Sequence, residues 1–128
     1  MKKAILVISL LILTIGFGFY EVFAVKNVLS TMQNSITYLD DKFEENQQDI
    51  SIYYEEIKEV RNSWEEKERW LCFLFNHRDL SIITDSFNRL LAYTENNDYD
   101  NATSELSMLK EYSTKSHHIM GFNIHNIL

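Results

Sequence analysis

The sequence predicts an all-α protein: an N-terminal transmembrane helix followed by a long helix packed with an antiparallel helical hairpin, a three- to four-helix bundle. Three observations carry this. The 128 residues include no Pro and three Gly, too little turn punctuation for sheets joined by tight hairpins. From Leu29 to Leu74, fourteen positions at alternating steps of three and four hold one register, and all but Asn46 and Lys67 are apolar. A stripe that long exceeds the three or four heptads that mark a helix packed along a continuous seam. Finally, two shorter stripes flank the turn-forming Asn96-Asn97-Asp98.

The first element follows Lys2 and Lys3, where Ala4 to Tyr20 runs for seventeen residues diluted only by Ser9, Thr14, Gly16 and Gly18. At ~1.5 Å per residue this spans roughly 25 Å, near the lower limit for the hydrocarbon core, and Val22 to Val25 extend it. Two lysines before the segment and Glu21 after it place the N-terminus in the cytoplasm and the rest outside, by the positive-inside bias. A signal peptide cleaved after Ala24 is the competing reading. The apolar run is longer than the usual cleaved h-region and the site is flanked by bulky Phe23, so the uncleaved anchor leads. The expected organisation is an anchor over 1–25, a membrane-proximal helix over 26–48, and an extracytoplasmic helical bundle over 49–128 with an apolar C-terminal tail.

The long stripe has a soft break at Glu44 to Asp49, six polar residues with Asp49 as a possible cap, so residues 26–76 are one helix or two. Glu55, Glu56, Glu59, Arg61, Glu65, Glu66 and Arg69 fall off the stripe and read as a solvated face. A new helix starts at Asn76-His77-Arg78-Asp79, with Asp79 as the expected N-cap, and carries Leu80, Ile83, Phe87, Leu90 and Leu91. Asp98 caps the next, striped by Tyr99, Ala102, Leu106, Leu109 and Tyr112, and the short turn makes the two an antiparallel hairpin. Gly121 is expected to end that helix, leaving Phe122 to Leu128 as the tail.

Charge and cysteine narrow the function classes. Net charge is −7, and −8 over residues 26–128 (10 cations against 18 anions), which excludes nucleic acid as a partner. One Cys excludes a disulfide scaffold and a thiolate zinc site. Cys72, within the apolar Trp70 to Phe75 stretch, is expected to be buried as a small hydrophobe.

Motifs for chemistry are missing: there is no glycine-rich phosphate loop, no His-Glu-x-x-His, no Glu-x-x-His and no Gly-x-Ser-x-Gly. His117 and His118 point about 100° apart on a helix, so a metal site from them with His125, Glu111 or Glu105 needs ligands the spacing does not supply. His77 and Asp79 share residue types with acid–base catalysis, yet no nucleophile accompanies them, and corner packing and capping explain both. Trp64 lies on the main seam while Trp70 projects roughly 120° away toward the hairpin helices. No catalytic, cofactor or metal residue is therefore assigned. The candidate corner and interaction positions are His77, Asp79, Trp64, Trp70, Phe122, Ile127 and Leu128.

The Lys-Lys start and single hydrophobic segment, the Trp64 region, the His77-Arg78-Asp79-Leu80 corner, the Asn97-Asp98 turn with Ala102 and Leu109, and the closing Phe122-Asn-Ile-His-Asn-Ile-Leu128 together resemble the bacterial domain of unknown function 4363 family. The resemblance covers nearly the full chain. It implies a small membrane-associated or exported helical protein of Gram-positive bacteria, and it implies no activity or site residues.

The expected function is accordingly that of a single-pass membrane-anchored interaction or structural module, not an enzyme. It would contact membrane lipid through residues 4–25, and a second copy or a membrane-protein partner through the Leu29–Phe43 stripe. The alternative is a small-ligand or metal sensor in the bundle core. A hydrolase centred on His77 and Asp79 is the weakest reading.

Overall fold

The computed structural model describes the backbone of residues 1–127 and side chains through Lys115. Helix α1 runs without interruption from Lys2 to Glu45, 44 residues. A 3₁₀ turn, Ile50–Tyr53, leads into α2, Tyr54–Leu71. Helices α3, His77–Glu95, and α4, Tyr99–Ile127, complete the chain. Among the described residues every element is helical.

The division at residue 25 marks a change of surroundings and not the end of a helix. No breaker lies there, so the helix simply continues. Up to Tyr20 the side chains stand exposed, and from Val25 the 3-4 stripe of Leu29, Met32, Ile36, Leu39 and Phe43 is buried at 5% exposure or less. The 26–48 segment is thus one packed body with the later helices.

The stripe's cover is α4, which lies antiparallel to α1 and makes its most extensive packing. Gln33 Nε2 donates to Thr114 Oγ1 across this pair at 3.3 Å. These side chains are core, packed against the chain's own later helices. Each such Leu, Ile or Phe contributes roughly 1.5–3 kcal/mol of burial.

Packing continues from α4 to α3 and from α3 to α2, while α1 and α2 touch more sparingly. This explains why the long stripe weakens after its break. Only Ile57, Trp64 and Leu71 of α2 are fully buried, spaced seven apart, and Leu74 is 40% exposed. Residues 26–76 are therefore two helices, and the break falls at Asn46–Asp49.

Asn97 holds that break in place. It sits at φ 56°, the left-handed region that Asn tolerates better than most residues. Around it α3 ends in a Schellman arrangement: Asp98 N–H donates to Tyr93 C=O (2.8 Å) and Asn97 N–H to Thr94 C=O (3.1 Å). The Asn97 side chain then reaches the α1–α2 connection, accepting from Ile50 N–H (2.8 Å) and donating to Gln48 C=O (2.7 Å). Asp49, the expected cap, makes no cap bond and instead accepts from the Ser51 hydroxyl at 2.5 Å. Asp98 does cap α4, accepting from Asn101 N–H at 3.3 Å and from Asn101 Nδ2 at 2.7 Å.

Helix α4 does not stop at Gly121 but continues to Ile127. A lone interior glycine costs about 1 kcal/mol relative to Ala, and with no Pro behind it nothing forces a stop.

Candidate functional site: the Val25 end of the bundle

Helix α2 runs antiparallel to α1. One groove brings Asn34 and Leu39 against Glu56 and Val60. A second brings Asn27 and Thr31 against Ser63 and Lys67. Continuing in that register, Leu71 and Phe75 arrive beside Val25 and Leu29, where α1 leaves the bundle.

There, Asn76 caps α3: its backbone is extended (φ −62°, ψ 124°) and its Oδ1 accepts from Arg78 N–H at 3.1 Å. This corrects the expectation for Asp79, which sits in the first helical turn. An acidic residue there still complements the helix dipole. His77 and Asp79 are both exposed. His77 Nδ1 lies 3.4 Å from Cys72 Sγ, closing the corner between α2 and α3. Cys72 is half-buried, not enclosed as expected, because it ends α2 at the rim of the core.

Trp64 is 3% exposed, and its indole N–H finds the partner a buried indole requires. It donates to Thr84 Oγ1 at 2.9 Å, and the Thr84 hydroxyl donates to Glu68 Oε2 at 2.7 Å. Trp70 is half-buried against the core. The Phe122 and Ile127 side chains and all of Leu128 lie outside the described residues.

These elements line a partly open cavity of about 210 Å³, walled by Val25, Leu29, Trp64, Leu71, Ile83 and Tyr112. Asp79 and Lys115 bring the charges to its lining. Glu111 accepts from Lys115 Nζ at 2.7 Å, and that hydrogen bond raises the Lys115 pKa above 10.5, so the ammonium stays charged. The walls are apolar and offer room for a small hydrocarbon or part of an alkyl chain. Among the described residues no three His, Cys, Asp or Glu side chains gather closely enough to hold a metal ion.

Sequence reasoning missed one polar cluster. Glu105, 8% exposed, receives Ser86 Oγ–H at 2.6 Å, Arg89 Nε–H at 2.7 Å and a second Arg89 guanidinium N–H at 3.3 Å. The hydrogen bond to Glu105 raises the Arg89 pKa above its ordinary value. A signal was present: Arg89 and Glu105 each lie eight residues from Asn97, so an antiparallel hairpin pivoting there sets them face to face.

The family described as Domain of unknown function (DUF4363) matches residues 19–127. No curated protein and no solved structure matches the chain.

Proposed function

This chain belongs to the DUF4363 family, and on that footing we propose that it is a single-pass membrane protein, N-terminus inside and C-terminus outside. Its bundle serves as an interaction or structural module on the outer face of the cytoplasmic membrane. The observation that carries this reading is the double character of α1. Its first part is long and apolar enough to cross a bilayer and has no buried side chain, and its second part is bundle core. Ile5, Leu10, Leu13, Phe17 and Phe19 are each more than 60% exposed, forming an apolar surface far beyond what a protein in water carries. Lys2 and Lys3 orient it. Because the helix does not end at the membrane, the bundle stands on its anchor without a hinge.

The cleavage reading is disfavoured by the same continuity, since the candidate site after Ala24 lies within α1, next to buried Val25. The test is a topology reporter fused after Leu128, with the intact mass of the product. The expected result is an active extracytoplasmic reporter, retained in membranes after alkaline wash, with residues 1–25 present. A reporter released to the medium with Val25 as its N-terminus indicates secretion, and a cytoplasmic reporter overturns the orientation.

A second reading, small-ligand binding in the bundle, is favoured by the 210 Å³ cavity. An apolar cavity of ~150 Å³ is enough to bind benzene. Titrating benzene against thermal unfolding of the full chain in bilayer discs should stabilise it, by about 2.7 kcal/mol at a hundred times Kd. Leu29→Trp, which fills the space, should abolish the effect; equal stabilisation of that variant removes the reading.

A further inference from the structure

Among the described residues, the α2–α3 corner contains the most prominent apolar exposure outside the anchor: Phe73 is 88% exposed and its neighbour Leu74 is 40% exposed. Phe75 and Trp70 beside them are half-buried against the core. We propose that this corner is a second point of contact with the bilayer that α1 crosses, with Phe73 and Leu74 seated at the boundary between headgroups and acyl chains. The proposal rests on the membrane-crossing reading of α1.

Helix length sets the height of the corner. Twenty helical residues fill a hydrocarbon core of about 30 Å, so a span beginning at Ala4 ends at Phe23. Val25 then lies only about 3 Å beyond, and Leu29 about 9 Å, while the headgroup layer is about 5–7 Å deep on each side. Leu71 and Phe75 wall the same cavity as Val25 and Leu29. The loop between Leu71 and Phe75 that carries Phe73 and Leu74 therefore lies at headgroup depth. An aromatic and an aliphatic side chain facing outward at that depth meet lipid.

The distribution of charge agrees. Residues 63–79 hold Lys67, Arg69 and Arg78 against Glu65, Glu66, Glu68 and Asp79, and Lys26 is at the same end of the bundle. At the far end, residues 40–59 carry eight carboxylates against Lys42 and Lys58. The strong net negative charge is thus concentrated away from the membrane, and the corner is left close to neutral, so little charge opposes its contact with lipid headgroups. Ile52, 57% exposed, lies in the far turn and serves as an internal control.

The experiment places the full chain, in a Cys72→Ser background, in discs of phosphatidylcholine with a minority of phosphatidylglycerol. Single cysteines at Phe73→Cys, Ile52→Cys or Phe17→Cys carry an NBD fluorophore. Quenching is read with nitroxide lipids and with aqueous iodide. The expected result is blue-shifted emission at 73, quenched by headgroup-level nitroxide several-fold more than at 52 and by iodide several-fold less. If 73 behaves like 52 while 17 is quenched by lipid, the corner contact is overturned and the anchor stands. If 17 itself is quenched by iodide and not by lipid, the anchor and the corner fall together.

Discussion

Asn97→Ala is expected to lower the unfolding free energy by about 3 kcal/mol, Asn97→Gly by about 2 and Asn97→Asp by about 1 to 2. The ordering follows from two separable roles. The backbone at φ 56° costs a Cβ-bearing residue roughly 1 kcal/mol or more, and Asn offsets part of this by its local hydrogen bonding. Alanine meets the strain and loses both side-chain bonds, whereas glycine is free of the strain and loses only the bonds. Aspartate keeps an acceptor for Ile50 N–H and places a second oxygen against Gln48 C=O, where the amide had donated. The Ile50 amide is partly buried, so leaving it unpaired is the largest share, in the range of about 1–3 kcal/mol for a buried donor. Urea unfolding of the detergent-solubilised chain, followed by tryptophan fluorescence, checks the series. An alanine variant as stable as glycine would mean that the left-handed backbone is not maintained. An unchanged aspartate variant would mean that Gln48 is not engaged.

That clamp shows where local reading stops. The Asn96-Asn97-Asp98 turn is visible in the sequence because Asn and Asp tolerate the conformation and cap the next helix. Its contact with Gln48 and Ile50, nearly fifty residues away, has no local signal. The same division runs through the bundle. Leu29, Ile36, Phe43, Phe87, Leu90 and Leu109 all fall on predicted stripes and are all buried, since periodicity reports a face that must be covered. It does not report by what. The chain's own α4 covers the α1 stripe.

Capping misleads for a different reason. Asn76 and Asp79 are both good N-cap residues three apart, and the helix takes the earlier because Asn76 has the extended backbone and Arg78 N–H within reach. Gly121 misleads because a C′ glycine and an interior glycine look alike in sequence, and helix α4 carries on through it. Of the candidate positions, the Trp64 seam and the His77–Asp79 corner meet at one end of the bundle. The cavity there depends on Val25 and Leu29 arriving with α2 and α4, a juxtaposition that only tertiary packing produces.

Arg89→Ala is expected to destabilise by about 2–3 kcal/mol and Glu105→Ala by about 1–2, even though each variant deletes the same ion pair. Burial is unequal across the pair: the Glu105 side chain is 10% exposed and that of Arg89 is 44% exposed. Removing Arg89 leaves a carboxylate inside the α3–α4 interface with only the Ser86 hydroxyl as donor. Removing Glu105 leaves a guanidinium that reaches water and a serine that can donate to a carbonyl of its own helix. Water at the Arg89 end keeps the loss below the ~3–5 kcal/mol of a fully enclosed pair. Replacing both by Met should be nearly neutral, because the volume is kept and no charge is stranded. The pH dependence separates charge from packing. The Arg89 pKa is raised in the folded state, so its contribution is complete below the ordinary value and is lost only as pH rises through the raised one, beyond working conditions. Arg89→Lys brings that loss down toward the lysine range, ~10.4. Urea midpoints at neutral pH and at about pH 11 should therefore diverge for Arg89→Lys more than for the native chain. Equal alkaline losses in the two proteins would show that Arg89 acts through its alkyl stem and not its charge.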